Sequence, residues 1–165
     1  MATHNGLEKE AVRVLFVCTG NIIRSAMAKA FLETRLPSGL EGRVTVDSAG
    51  VAAMDGNLAT DEAVLVMAEQ GIDLARHRAK FLNHDHIRSS DLILVMEKNH
   101  LRHIELFHRS AKKEIHLLRE FGLEKRLIDV PDPYGKSVNH YRSCRDLIES
   151  CMAGVIAWIE QNRRI

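Results

Sequence analysis

Residues 14–25 read VLFVCTGNIIRS, which predicts a buried strand that leads through a tight loop into a helix. The four apolar residues Val14 to Val17 are typical of a central parallel strand covered on both faces. Gly20 and Asn21 tolerate left-handed backbone conformations, so the peptide N–H groups around them can line a concave cradle. Ser25 is a predicted helix N-cap, which puts the positive end of the helix dipole at the cradle. The pattern predicts an oxyanion-binding site.

Cys18 and Arg24 lie at the two ends of the loop with five residues between them, the spacing that phosphoryl transfer through a thiol requires. A ring of amide donors and a neighbouring guanidinium would favour Cys18 as its nucleophilic thiolate. The planar fork of Arg24 can bind two phosphate oxygens, and Ser25 can donate its hydroxyl to the sulfur. The residues predicted to bind phosphate are Thr19, Gly20, Asn21, Ile22, Ile23 and Ser25.

Length and composition predict one soluble domain. The 165 residues are 45% hydrophobic and 27% charged, enough to bury a core without disulfides or metal. Residues 1–10 are polar and are expected to form a flexible tail, whereas residues 11–165 are expected to form a single domain. The net charge of +1 and the lack of a long apolar run argue against nucleic-acid binding and membrane insertion. Three cysteines fit a reducing compartment, so a cytoplasmic location is expected.

Strands and helices are predicted to alternate along the chain. The predicted strands are residues 14–17, 43–46, 92–96 and 114–118. Short right-handed crossovers then produce an α/β fold, a small doubly wound four-stranded parallel sheet with helices on both faces. The loop after strand one lies at the carboxyl edge of such a sheet, where ligands bind. One long last helix is expected from Val138, with Cys144, Ile148, Cys151, Val155 and Ile159 on one apolar stripe.

The loop resembles that of the low-molecular-weight protein tyrosine phosphatases, which reads Val-Cys-x-Gly-Asn-x-Cys-Arg-Ser-Pro. The matching positions are Cys18, Gly20, Asn21, Arg24 and Ser25. Further landmarks of the family follow in the same order, namely Asp47-Ser48-Ala49-Gly50, Gly71-Ile72-Asp73, His77-Arg78-Ala79, residues 91–96 and Asp132-Pro133-Tyr134-Gly135. The departures are Ile23 in place of a second cysteine, Ala26 in place of proline and Lys29 in place of a common glutamate.

The resemblance implies hydrolysis of phosphotyrosine monoesters through a cysteinyl-phosphate intermediate, without cofactor or metal. Cys18 would be the nucleophile and Arg24 the phosphate clamp. Asp132 would protonate the leaving phenolate and then activate water, although an isolated Asp-Pro indicates only a turn. Met54 and Tyr134 are expected to line the substrate pocket, where a methionine wall discriminates little between substrates. The implied partner is a phosphotyrosine-containing protein, with a tyrosine kinase among the candidates.

Ser48 and His77 have supporting roles in this interpretation. The resemblance implies that they join Asn21 and Ser25 in a buried hydrogen-bond network that holds the loop in shape. The residues alone favour a surface position for His77, because it lies in the basic run of residues 76–80.

Three further classes of protein share a loop of this kind. Protein-arginine phosphatases resemble the chain closely but tend to carry threonine at the position of Ile22. Thiol-dependent arsenate reductases need further cysteines in a mobile segment, whereas Cys144 and Cys151 lie on the predicted core stripe. A non-catalytic phosphate-binding module would need neither a nucleophile nor an acid such as Asp132.

Nine histidines raise the question of a metal site. His84 with His86, or His100 with His103, could each supply two ligands, but neither pair has a third. Solvated polar faces are therefore expected at these positions.

Overall fold

The computed structural model describes residues 11–108, 114–124 and 128–162, so the tail predicted at residues 1–10 lies outside the described residues. The central element is strand β1 (Val12–Cys18), in which six of the seven side chains are buried. Side chains alternate between the two faces of a strand, so an almost wholly buried strand must be covered on both sides. β1 is therefore an interior strand.

Three further strands complete the sheet, namely β2 (Val44–Gly50), β3 (Leu92–Val95) and β4 (Glu114–Leu117). The strand order is β2-β1-β3-β4 and all pairs are parallel, which confirms the predicted four-stranded parallel sheet. The register brings the carboxyl ends of β1, β2 and β3 to one edge of the sheet, where Cys18 lies opposite Gly50.

Six α-helices flank the sheet in the described residues. They are α1 (Arg24–Arg35), α2 (Asp61–Ala68), α3 (His84–Ser89), α4 (Lys98–Phe107), α5 (Val138–Ser150) and α6 (Met152–Asn162). Val14 and Phe16 of β1 pack in one core with residues of α1, α2, α5 and α6, whereas Leu15 and Val17 pack with α3 and α4. Helices thus cover both faces, as predicted. Within the described ranges, no helix has the length and apolar character to cross a membrane.

The single long helix predicted from Val138 is wrong, because the chain interrupts the helix at Cys151. The carbonyl of Leu147 accepts hydrogen bonds from the side chains of Ser150 at 2.6 Å and Cys151 at 3.4 Å. The N–H of Cys151 donates instead to the carbonyl of Ile148, at 3.1 Å. Side-chain donors that compete for backbone carbonyls weaken and bend helices in this way. All residues of the predicted apolar stripe are nevertheless buried.

Gly154 in α6 packs directly against the short 3-10 helix Leu118–Phe121. A Cβ atom at this position would lie 2.1 Å from the carbonyl oxygen of Phe121. Only a residue without a side chain allows this approach of helix to backbone. Gly154 therefore holds α6 against the segment that follows β4.

We expect Gly154→Ala to lower the free energy of unfolding by about 1–3 kcal/mol, because the added methyl group must push two backbone segments apart. Helix propensity alone would give the opposite sign, by about 1 kcal/mol. Urea unfolding of the variant measures the difference. Gly39→Ala is the matched control, since a Cβ there meets nothing within 4 Å. Equal stability of the two variants would contradict the packing argument.

Candidate active site

The loop between β1 and α1 curves around a cavity at the carboxyl edge of the sheet. The loop carbonyls face away from this cavity, because four of them accept hydrogen bonds from neighbouring segments. The acceptor carbonyls belong to Cys18, Thr19, Asn21 and Ile22, and the donors are Val51 N, Ala52 N, His77 Nε2 and Thr60 N. In a trans peptide the N–H points opposite to the carbonyl. The N–H group that follows each of these four carbonyls therefore faces the cavity. This is the predicted cradle of amide donors.

Asn21 supplies the turn of the loop. Its φ is 53°, in the left-handed region, whereas Gly20 does not have a positive φ. Four partners hold Asn21 there: its Nδ2 donates to Ser25 Oγ at 2.7 Å and to Ser48 Oγ at 2.9 Å, its Oδ1 accepts from Lys80 N at 2.9 Å, and its carbonyl accepts from His77 Nε2 at 2.6 Å. The residues that the resemblance links in a network are therefore in contact. Burial lowers the pKa of His77, which favours the neutral ring.

The sulfur of Cys18 has two close hydrogen-bond partners. Asn21 N donates to Sγ at 3.3 Å, and Ser25 Oγ lies 2.9 Å from Sγ. Because Ser25 Oγ already accepts from the Asn21 side chain, its own proton is free to point at the sulfur or at the carbonyl of Ala49, 3.4 Å away. The Asn21 N–H and the Ser25 hydroxyl can both stabilise negative charge on the sulfur.

The prediction that Ser25 is the N-cap is wrong. Helix α1 begins at Arg24, and the N-cap position is Ile23, which makes no side-chain cap. The Ser25 hydroxyl is occupied by Asn21 and Cys18 instead. Asn21 and Ser25, predicted to bind phosphate, are both fully buried and do not line the cavity.

Arg24 is only 2% exposed, although it carries a charge. Its Nη1 donates to Glu97 Oε1 and to the carbonyl of Val130, both at 2.9 Å. Its Nη2 lies 3.4 Å from Asp132 Oδ2 and 3.5 Å from Thr19 Oγ1. These contacts offset the cost of burying a guanidinium. Sequence reasoning missed Glu97, whose one signal is its place just after β3, at the same sheet edge as Cys18.

The cavity has a volume of about 270 Å³. Cys18, Arg24 and Ile22 line it with Asp132, and Met54 and Tyr134 stand at its mouth with 70% and 65% of their surfaces exposed. The N–H of Tyr134 donates to Asp132 Oδ1 at 3.1 Å, which leaves Oδ2 toward Arg24. The residues predicted for the pocket and the catalytic positions thus surround one cavity.

Gly50, the last residue of the Asp-Ser-Ala-Gly stretch, lets β2 approach the loop closely. A Cβ at Gly50 would lie 2.5 Å from the carbonyl oxygen of Thr19 and 2.8 Å from the amide nitrogen of Asn21. A side chain there would displace the loop backbone that forms the cradle. The close packing of Gly50 against the backbone of Thr19 and Asn21 therefore helps to determine the shape of the cradle.

His100 overturns the expectation of a solvated polar face, because it is 1% exposed. Its Nδ1 accepts from Glu97 N at 3.0 Å, and its Nε2 lies 2.9 Å from Thr19 Oγ1. Burial, with a smaller contribution from the charge of Arg24, lowers the pKa of His100 to about 4. No group of three or more His, Cys, Asp or Glu side chains in the described part of the chain is arranged to hold a metal ion.

The lowered pKa values of His100 and His77 predict a pH-dependent stability. Between pH 6.5 and about 4 the unfolded chain binds the His100 proton and the folded chain does not. The free energy of unfolding should therefore fall as the pH falls through this window, by about 3 kcal/mol for His100. Urea unfolding of the wild type and His100→Gln at a series of pH values measures the effect. His103→Gln is the control, and parallel curves for wild type and His100→Gln would contradict the assignment.

Comparison with known proteins agrees with the geometry. A family model described as low molecular weight phosphotyrosine protein phosphatase matches residues 13–164. A probable low molecular weight protein-tyrosine-phosphatase, EpsP of Ralstonia solanacearum, is 38% identical over 152 residues, which cover 92% of this chain and 97% of that protein. A protein-arginine-phosphatase of Geobacillus stearothermophilus is 39% identical over 140 residues, which cover 84% of this chain and 89% of the relative.

A solved structure of the YwlE arginine phosphatase, a mutant with a phosphorylated active site serine, has a TM-score of 0.84 at 32% identity. The alignment covers 93% of this chain and 99% of that one. Sequence, fold and the loop at the carboxyl edge of the sheet thus lead to one conclusion: this chain belongs to the low molecular weight phosphotyrosine protein phosphatase family.

Proposed function

We propose that this phosphatase hydrolyses phosphotyrosine monoesters in proteins through a cysteinyl-phosphate on Cys18. The observation that carries the proposal is the cavity in which Cys18, Arg24 and Asp132 meet, with Arg24 Nη2 3.4 Å from Asp132 Oδ2. A nucleophile, an oxyanion clamp and an acid around one cavity are the groups that phosphoryl transfer to a thiol needs.

In the first step the Cys18 thiolate attacks phosphorus, so that the S–P bond forms as the bond to the phenolic oxygen breaks. Arg24 and the inward N–H groups bind the three phosphoryl oxygens. The protonated Asp132 carboxyl gives its proton to the leaving oxygen. Because Asp132 Oδ2 lies 3.4 Å from Arg24 Nη2, a phosphoryl oxygen bound by Arg24 lies beside the carboxyl that protonates the leaving group.

In the second step Asp132, now a carboxylate, takes a proton from water as the water oxygen attacks phosphorus. The S–P bond breaks and inorganic phosphate forms. The sulfur leaves as a thiolate, which Asn21 N and the Ser25 hydroxyl stabilise from 3.3 Å and 2.9 Å. The carboxyl proton is restored and the cycle closes without a cofactor.

The cavity wall supports a phosphotyrosine substrate. Ile22 lines the cavity, and the exposed side chains of Met54 and Tyr134 form an apolar mouth suited to an aromatic ring. A phosphoarginine substrate is the second candidate, because a relative named for it is 39% identical. The side chain of Ile22 offers no hydrogen bond to a guanidinium, so phosphoarginine is the less favoured of the two substrates.

Cys144 and Cys151 are unsuited to the thiol relay that an arsenate reductase needs. Burial raises the pKa of Cys144 to about 12 and also raises the pKa of Cys151. Buried thiols held in the protonated form are poor nucleophiles for such a relay. The proposal includes a cytoplasmic location, where Cys18 stays reduced, and phosphotyrosyl proteins as partners, with a tyrosine kinase among the candidates.

Hydrolysis of p-nitrophenyl phosphate, a phosphotyrosyl peptide and phosphoarginine, without added metal, tests the proposal. We expect the wild type to turn over the tyrosyl substrates in preference to phosphoarginine. Cys18→Ser should abolish turnover because the nucleophile is lost, and Asp132→Ala should lower kcat by about 10²–10⁴-fold on the peptide. Cys144→Ser and Asp85→Ala are the matched controls. A preference for phosphoarginine would identify the protein as an arginine phosphatase. No turnover on any substrate would indicate a non-catalytic phosphate-binding module.

Ile23 predicts a distinct response to oxidation. Its buried side chain occupies the position of the second loop cysteine of the family that the chain resembles, so no thiol stands there to trap an oxidised Cys18 as a disulfide. Peroxide should therefore carry Cys18 to sulfinic or sulfonic acid, and dithiothreitol should not restore activity. Ile23→Cys should recover reversibility. Full recovery of the wild type, without a disulfide to Cys144 or Cys151 in its mass spectrum, would contradict the prediction.

A further inference from the structure

His100 is a buried polar group that the mechanism above does not use. It lies on α4 and contacts the loop through Thr19. Thr19 itself is exposed at the cavity wall. A buried histidine whose ring is hydrogen-bonded at both nitrogens is a strong orienting group, because its plane and its tautomer are both determined.

The tautomer of His100 follows from its partners. Glu97 N is a backbone amide and can only donate, so the Nδ1 atom, 3.0 Å away, must be the acceptor. The proton of the neutral ring is therefore on Nε2, which donates to Thr19 Oγ1 at 2.9 Å. The low pKa of His100 is consistent with a neutral ring at working pH.

This contact determines what the Thr19 hydroxyl can do. A hydroxyl oxygen has two acceptor sites and one proton. His100 Nε2 occupies one acceptor site, and Arg24 Nη2 approaches the other at 3.5 Å. With donors on both acceptor sites, the remaining capacity of Thr19 is to donate its own O–H, and the open direction is the cavity that also holds Cys18.

We propose that the Thr19 hydroxyl donates a hydrogen bond to an oxygen of the bound phosphoryl group, and that His100 is a positioning residue that acts through Thr19. The inference rests on the proposed function for its substrate. It adds a side-chain donor to the backbone donors of the loop. It also explains why an imidazole is buried at the first turn of α4, 81 positions along the chain from its partner.

A double-mutant cycle tests the proposal, with kcat and KM on p-nitrophenyl phosphate and the Kd of inorganic phosphate as readouts. Thr19→Val keeps the shape of the side chain but removes the hydroxyl. It should weaken phosphate binding and lower kcat, each by about tenfold to 100-fold, which is the usual loss for a hydrogen bond to a charged group. His100→Leu should give a smaller loss. In the Thr19→Val background His100→Leu should give no further loss, because its partner is gone.

Two variants separate positioning from general stability. His100→Gln keeps one donor and one acceptor and should recover most of the wild-type phosphate affinity, which a purely structural loss would not allow. His103→Leu on the same helix is the control and should leave all readouts unchanged. If His100→Leu does not fold, Thr19→Val and His100→Gln still decide the question. Additive losses in the cycle, or unchanged phosphate affinity in Thr19→Val, would overturn the proposal.

Failure of the proposed function can be distinguished from failure of this inference. Inorganic phosphate binding and long-range ¹⁵N spectra of the imidazole do not depend on turnover. The spectra should show His100 as the Nε2–H tautomer. An enzyme that binds phosphate through Thr19 without hydrolysing any substrate would contradict only the proposed function. A wild type that hydrolyses substrate while His100 carries its proton on Nδ1 would contradict only this inference.

Discussion

The site depends on the buried charge of Arg24. A guanidinium with 2% of its surface exposed must be matched by acceptors, and these come from segments far apart in the sequence: Glu97 after β3, the carbonyl of Val130, and Asp132. The cost of an unpaired buried charge is several kcal/mol, so the segments that supply the acceptors are held together. The same contacts orient the Arg24 guanidinium at the cavity and keep the loop that carries Asp132 beside it.

The shape of the cradle depends on a second constraint, the outward direction of the loop carbonyls. Donors from neighbouring segments satisfy these carbonyls, Asn21 turns the chain in the left-handed region, and Gly50 allows β2 to lie against the loop. Each feature stabilises a conformation that leaves N–H groups facing the cavity. Preorganised donors of this kind cost no reorganisation when an oxyanion arrives. The parallel sheet supplies the rigid edge on which they are built.

Much of the fold could be predicted, and the reasons are local. Four segments of strand length, separated by helical segments, predict a parallel sheet because few other arrangements bury their apolar residues. The failures are also instructive. Ser25 has the chemistry of an N-cap, but its hydroxyl oxygen already accepts a hydrogen bond from Asn21 Nδ2, and its one proton is directed at Cys18 Sγ or the Ala49 carbonyl. The helix break at Cys151 depends on side-chain donors that reach the Leu147 carbonyl, which hydrophobic periodicity does not describe.

The strand, the loop and the helix around Cys18 could be predicted from residues 14–25, because those properties depend on neighbouring residues. The acceptors that surround Arg24 and the burial of His100 against Thr19 are visible only in the folded protein. The physical reason is that hydrogen bonds and burial join groups across any separation in sequence, whereas local patterns carry only the propensity of a segment. Glu97 and His100 therefore look like ordinary polar helix residues until the fold brings them to the loop.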